Sequence, residues 1–439
     1  MPPTRALSNT ELGIRLEGDQ TEYASGDTIV GYVFRSEHLV TQISSLSIQL
    51  VGRTVSKTAI ISQTGLSRYH GRFNLIPRHA RQKLHQGPLH VAHGGEKSWR
   101  FAITIPKYVD PTDFRDGETS ESYLSLKATN MPLSSSFTLF GGERIEAFVE
   151  YFVRASLRSK DENWKESWLA KLPITVTNRS PLVGSRLHTQ SYFYSFMSYR
   201  LVPGKEETKL SLSQIVKQSM GISSVPRFGF NLQVDMPEVI QMNDPTPIPV
   251  RLRAIMDRDL TSDEIRNSTP KIKLKWISIQ IIATTEVICQ GSHTMEEESE
   301  MDLDIMSQIS SRGQDVYIPC TGHGSSIDIG DLVDLRLDRY YNVCPQHQGP
   351  APFTPSFETY NIRRSHRLRW MVAVEFGGQV IQKTEIIMLT ILGPRGGLDQ
   401  PMPGSQDTHA SWSQSSEIDG RGSWVRKEDF GAGKSPRIE

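Results

Sequence analysis

The chain has 439 residues, and 49 Lys+Arg balance 49 Asp+Glu. A formal net charge of zero argues against a protein that coats nucleic acid or anionic lipid through bulk charge, while leaving room for local patches. With 37% hydrophobic and 22% charged residues there is enough apolar material for packed cores, and the length suggests more than one domain.

The three cysteines, Cys289, Cys320 and Cys344, are far apart and lack CxxC spacing, which disfavours a disulfide framework and a structural zinc site. Met1-Pro2-Pro3-Thr4-Arg5 shows no apolar stretch of the secretory type. No apolar run is long enough for a membrane helix, and the longest, at 386–392, is strand-sized. The expectation is a soluble cytoplasmic protein with no transmembrane segment.

In chain order the dominant period is two. Leu46, Ile48 and Leu50 alternate with Ser47 and Gln49, and Phe101, Ile103 and Ile105 with Ala102 and Thr104. Ile145, Ala147, Val149, Tyr151, Val153, Ala155 and Leu157 make one long face. Arg144, Glu146, Glu150, Arg154 and Ser156 make most of the other, joined by Phe148 and Phe152. Such alternation predicts strands with one buried face. Further on, Phe228, Phe230, Leu232 and Val234 repeat it, as do Val250, Leu252 and Ala254. Ile272, Leu274 and Trp276 alternate with lysines, after which Ile277, Ile279 and Ile281 continue on the opposite parity. That slip predicts a bulge or a strand buried on both faces. Leu368, Trp370, Val372, Val374 and Phe376 form another face, and Gly377-Gly378 predicts a hairpin turn into the next strand.

Many short strands with few helical signals indicate an all-β chain of antiparallel sandwiches. Two blocks are expected, at 11–177 and 226–392. Between them, 178–225 reads as a connector whose aromatic cluster, Tyr192, Phe193, Tyr194, Phe196 and Tyr199, should pack rather than swing free, with a short helix at 211–220. The acidic run at 295–304 reads as a solvated loop or weak helix. The first ten residues and the Gly- and Ser-rich tail at 393–439 should be disordered.

Leu16-Glu17 followed by Tyr23-Ala24-Ser25-Gly26-Asp27-Thr28-Ile29-Val30-Gly31-Tyr32-Val33 resembles the Y-x-x-G-D-x-v-x-G-x-v opening of arrestin N-domains. Residues 43–52, ending Gln49-Leu50-Val51-Gly52, resemble the strand that follows it. Trp99-Arg100-Phe101-Ala102-Ile103, Met131-Pro132-Leu133-Ser134-Ser135-Ser136-Phe137 and Glu150-Tyr151-Phe152-Val153-Arg154-Ala155 are similar to the next elements of that family. Residues 226–237, 271–289 and 359–368 look like the C-domain of fungal arrestin-related proteins.

The resemblance implies two tandem immunoglobulin-like sandwiches of arrestin type. It implies adaptor work without catalysis or cofactor: binding the tails of membrane transporters or receptors and bringing a HECT-type ubiquitin ligase to them for endocytosis, with recruitment from the cytoplasm to the plasma membrane or endosomes. Pro-Pro-x-Tyr, through which such ligases dock, does not occur in the chain, so ligase recruitment through a partner is an alternative. A retromer-type sorting scaffold is the second reading. A sandwich enzyme or carbohydrate-binding module is the third.

The candidate contacts for an acidic or phosphorylated tail are two basic groups. The first is Arg68, Arg72, Arg78, Arg81 and Lys83, interspersed with histidines; the second is Arg363, Arg364, Arg367 and Arg369. Arginine matches carboxylate and phosphate bidentately. The plainer accounts are a solvated insertion for the first group and an edge-strand guard for the second. Gly431-Ala432-Gly433-Lys434-Ser435 lacks the strand and helix that a phosphate loop needs, and Gly322-His323-Gly324-Ser325 reads as a turn. No catalytic motif, metal site or nucleic-acid signature emerges.

Overall fold

The structure is a computed structural model. It describes residues 4–396 apart from 9–10, 19, 21, 63–64, 78–80, 111–120, 127–129, 143, 160–166, 185, 206–207, 269, 321–325 and 339–352. Arg78, Cys344, the turn expected at 322–325, and the tail from 397 with its Gly431–Ser435 motif lie outside the described residues.

The fold is all-β and sandwich-type. Its first half contains β1 (Gly13–Leu16), β2 (Glu22–Ala24), β3 (Thr28–Arg35), β4 (Leu39–Ser62), β5 (Gly65–Asn74), β6 (Arg81–Val91), β7 (Lys97–Thr104), β8 (Phe137–Gly141), β9 (Ile145–Ser159) and β10 (Ser167–Thr177). A three-stranded sheet has the order β1-β3-β7. A seven-stranded sheet has the order β2-β10-β9-β4-β5, with β6 also on β4 and β8 on β9. A turn precedes β3: Gly26 sits at φ 94°, and Asp27 Oδ2 accepts from the Ala24 amide at 2.7 Å, a side-chain-stabilised turn.

The second half contains β11 (Leu187–Met197), α1 (Leu212–Ser219), β12 (Arg227–Pro237), β13 (Val239–Gln241), β14 (Arg251–Asp257), α2 (Asp263–Arg266), β15 (Lys271–Cys289) and β16 (His293–Asp302). It continues with α3 (Ile305–Ser311), β17 (Tyr317–Pro319), β18 (Ile327–Asp328), α4 (Ile329–Val333), β19 (Phe357–Glu358), β20 (Ile362–Phe376) and β21 (Gln379–Leu392). Its sheets are β11-β12-β14-β18 and β13-β21-β20-β15-β16, with β17 on β15 and β19 on β20. The halves repeat one plan. In each, a three-residue strand pairs in parallel with the last long strand, β2 with β10 and β13 with β21, while the long strands pair antiparallel.

Alternation explains the layers. Phe228, Phe230 and Leu232 of one sheet meet Ile277, Ile279, Trp370 and Val372 of the other in one core. Leu46, Ile48, Val149, Tyr151 and Phe101 belong to a second core. The second core also takes in Val287, Phe357, Tyr360 and Ile362, and the chain up to Gly396 forms one compact unit. The slip after Leu274 is a register shift between Leu274 and Trp276 against β20, a bulge that lets Ile277, Ile279 and Ile281 face the core. Gly377 and Gly378 have φ of 58° and 78° and join β20 to β21 as a two-residue hairpin that needs left-handed backbone at both positions.

Four expectations change. The acidic run is not a loop or helix: His293–Asp302 is β16, paired along its length with β15, because its carboxylates stand across from arginines of the same sheet. The aromatic connector contains β11, paired with β12 from Leu187 to Met197. Tyr192 packs edge-on to Trp370 with ring centroids 6.1 Å apart, so this stretch is part of the sheet β11-β12-β14-β18. The basic region after residue 64 is β5 and β6, both hydrogen-bonded to β4, rather than a solvated insertion. Within the first ten residues, the described stretch 4–8 is held: Leu7 bridges Lys171 and the Thr4 amide donates to Glu150 Oε2 at 2.6 Å. The helix expected at 211–220 is α1.

Candidate anion-binding face

The strand β4 pairs with β9 from Ser44 to Thr58 without a register shift, so its odd-numbered side chains share one face and its even-numbered ones the other. Thr54, Ser56 and Thr58 of the even face are buried. Across the sheet, Arg68 stands opposite Ala59, His70 opposite Lys57 and Arg72 opposite Val55. Arg81 stands opposite Gln49 and Lys83 opposite Ser47. Directly opposed residues point to the same face. The described members of the first basic group, separated in sequence by residues 75–80, therefore line one face at one margin of the sheet, and all are exposed.

Three further strands extend that face. β4 itself adds Arg53 and Lys57. Arg154 of β9 stands opposite Gln49 and Arg158 opposite Ser45, and Lys171 of β10 stands opposite Arg154. Among the described residues of these strands the acids on this face are Glu146 and Glu150, and both are engaged. Lys57 bonds Glu146, and Arg53 bonds Glu150, which also receives the Thr4 hydroxyl at 3.1 Å. The same cations cover the aromatics of this side: Arg53 lies 5.5 Å from the Phe152 ring centroid and Lys57 5.8 Å from that of Phe148. That accounts for two buried phenyl groups on a polar face. Lys83 donates to Gln86 at 2.6 Å and Arg154 to Gln49 at 2.9 Å.

The second basic group is arranged differently. On the outer side of the second large sheet, Arg369, Arg367 and Arg363 of β20 stand across β15 from Asp302, Glu300, Glu298 and Glu296 of β16, through Gln280, Ile282, Thr284 and Glu286. Arg367 bonds Glu298, Arg369 bonds Glu300 at 3.0 Å, and Arg363 bonds Glu358 and lies 3.7 Å from Glu286. These arginines are spent inside the sheet. β20 lies between β21 and β15, so they guard no edge. Arg364 points the other way, is 7% exposed, donates to Thr285 Oγ1 at 2.7 Å and stacks over Phe137 at 5.2 Å. Burial pushes its guanidinium down to about 10. It is a packing residue without the surface a tail contact needs.

Sequence reading found Arg68, Arg72, Arg81 and Lys83 but missed their partners Arg53, Lys57, Arg154, Arg158 and Lys171. Each strand showed its own alternation. What brings the basic positions together is inter-strand register, which no single strand carries.

The buried thiols are unsuited to nucleophilic chemistry. Burial raises Cys289 and pushes Cys320 up to about 12, so neither is a ready thiolate. Among the described residues no group of three His, Cys, Asp or Glu is placed to hold a metal ion, and no helix is long and apolar enough to cross a membrane. What the basic face can do is hold an extended polyanion by charge-assisted hydrogen bonds. No family model matches the sequence, and no curated protein matches it.

Proposed function

We propose that this chain is a non-catalytic adaptor of the arrestin-like kind, with two tandem sandwich domains, that receives acidic or phosphorylated cytoplasmic tails of membrane proteins on the basic face of its first large sheet. One observation carries the reading: Arg68, Arg72, Arg81, Lys83, Arg154, Arg158 and Lys171 share a face on which the described acids are already paired. A neutral chain that sets these seven cations on one face is built to steer and orient an anionic partner rather than to bind polyanions everywhere. The cytoplasmic setting, recruitment to plasma membrane or endosomes, and the link to a HECT-type ubiquitin ligase belong to this proposal through the sequence resemblance. With no Pro-Pro-x-Tyr in the chain, ligase recruitment is placed with a partner adaptor.

The test is proximity labelling in cells with the full chain and with a charge-reversed form, R68E/R72E/R81E/K83E. The expected result is that transporters and endocytic proteins are labelled by the parent and lost from the variant. Labelling free of membrane-trafficking proteins, or the same cargo with both forms, would overturn the proposal.

A further inference from the structure

The segment that joins β11 to β12 leaves and re-enters the second sandwich at one point, where the Ser198 amide donates to the Pro226 carbonyl at 3.0 Å. Between these ends it carries α1, a helix with defined limits. Ser211 Oγ accepts from the Gln214 amide at 3.3 Å and the Gln214 side chain accepts from the Ser211 amide at 2.9 Å, a reciprocal capping box. At the other end Gly221 has φ 61° and the Ile222 amide reaches back to the Lys217 carbonyl at 3.2 Å, closing the helix as a left-handed glycine cap does. The element is specified by its own sequence, at both ends.

Its orientation is inverted. A surface helix normally turns its apolar stripe to the core and its polar residues to water. Here no residue of α1 is buried. Its least exposed residues are Gln214 and Gln218, one turn apart and so on one side, and Gln218 Oε1 is shielded from solvent with no partner. The opposite side presents Leu212 at 83% exposure, Met220 at 70%, and Ile215 and Val216 at 49% each. The stripe continues into Ile222. An apolar face held outward by its polar side is a contact surface awaiting an apolar environment.

The charges around it select the environment. From residue 208 to 226 there is no Asp or Glu, Glu206 and Glu207 preceding the stretch, while Lys209 and Lys217 are exposed. A short helix with an outward apolar face, rimmed by lysines and free of acids, has the composition of an element that lies in the headgroup layer of an anionic membrane. Four side chains are a smaller patch than the ~800 Å² per partner of a stable protein pair, and a second copy would add its own lysines to the same rim.

We infer that α1 is a membrane-surface contact: Leu212, Ile215, Val216 and Met220 enter the interfacial layer of an anionic bilayer, and Lys209 and Lys217 meet its headgroups. This contact is separate from the basic face of the first sheet and does not depend on the cargo-tail reading.

The test is co-sedimentation of the full chain with cargo-free vesicles of phosphatidylcholine, alone or with added phosphatidylserine, at low and high salt. The parent should partition into the phosphatidylserine vesicles about tenfold more strongly than into the neutral ones, with the preference falling at high salt. L212S/M220S should weaken partition by about tenfold or more at either salt, and K209E/K217E should abolish the preference for phosphatidylserine. All these positions are exposed, and unchanged melting curves would show that the variants fold. Equal binding to both vesicle types, or full binding by L212S/M220S, would overturn the inference. So would a dimer in sedimentation equilibrium that L212S/M220S dissolves while the parent ignores vesicles, since the face would then belong to a second copy. Cargo labelling that survives L212S/M220S leaves the inference standing, because the vesicles alone decide it.

Discussion

Asn361 Nδ2 donates to Ser56 Oγ at 2.8 Å, joining two side chains that are 0% exposed and 305 positions apart in sequence. Ser56 in turn donates to the Ile288 carbonyl at 2.8 Å, and Thr54 Oγ1 donates to Asn361 Oδ1. One amide thus satisfies two hydroxyls of β4 where it meets the chain between β19 and β20. Truncating it strands buried polar groups, which costs more than the bonds themselves. N361A should lower the unfolding free energy by about 2–4 kcal/mol in urea denaturation of the full chain. A loss well below 1 kcal/mol would mean that water replaces the amide.

The same junction explains Gly71. A Cβ built there would come 2.5 Å from Ser56 Oγ and 2.8 Å from the Ile288 carbonyl oxygen, and the neighbouring Gln290 amide donates to the His70 carbonyl at 3.0 Å. β5 approaches the second half too closely for a side chain. G71A should cost about 1–3 kcal/mol through forced displacement of backbone, measured by the same denaturation. G65A, at a site with no neighbour within 4 Å but φ 130°, isolates the cost of strained backbone alone.

These junction contacts mark where sequence reading stopped. The sandwich class, the β15 bulge, the Gly377-Gly378 hairpin and α1 follow from period, parity and turn residues, all local signals. β16 was misread because Glu296, Glu298 and Glu300 look like a solvated charge run. The arginines that face Glu298 and Glu300, Arg367 and Arg369, lie 69 positions away, so nothing local shows what the carboxylates stand beside. β11 escapes a local reading because Tyr192, Phe193 and Tyr194 run consecutively and hide the period of two, while the packing of Tyr192 and Tyr194 rests on Trp370 and Phe230, far along the chain. The basic face depends on strand register, a long-range property that alternation within one strand does not contain.

His366 should make stability fall in mild acid. Burial, with help from the nearby Arg364 charge, pushes its imidazole down to about 3. Ser356 Oγ lies 2.9 Å from Nδ1, while Nε2 has no partner. An unfolded histidine takes a proton near pH 6.5. Between about 6.5 and 3 the unfolded state therefore holds a proton that the folded state refuses, and stability drops as pH falls through that window. From pH 7 to pH 5 this one group should remove about 2 kcal/mol. H366N keeps a polar atom near Nδ1 without titrating. Denaturation curves at pH 7 and 5 should show a slope smaller in H366N than in the parent by that amount; equal slopes would place the protonation elsewhere.

The two basic groups should behave oppositely when neutralised. Arg68, Arg72, Arg81 and Lys83 face solvent from a surface whose described acids, Glu146 and Glu150, are fewer than its cations and bond Lys57 and Arg53, so the face presents a net positive charge to an external anion. Arg367 and Arg369 bond Glu298 and Glu300 within their own sheet, so an incoming anion would have to displace those carboxylates. R68Q/R72Q/R81Q/K83Q should weaken binding of a phosphorylated acidic peptide by about tenfold or more and flatten its salt dependence. R367Q/R369Q should leave affinity within about twofold. Each set should change folding stability by less than about 1 kcal/mol, since partly exposed ion pairs contribute little. Fluorescence anisotropy of the labelled peptide at two salt concentrations reads both effects. A larger affinity loss in the second variant than in the first would move the anion site to the second sheet.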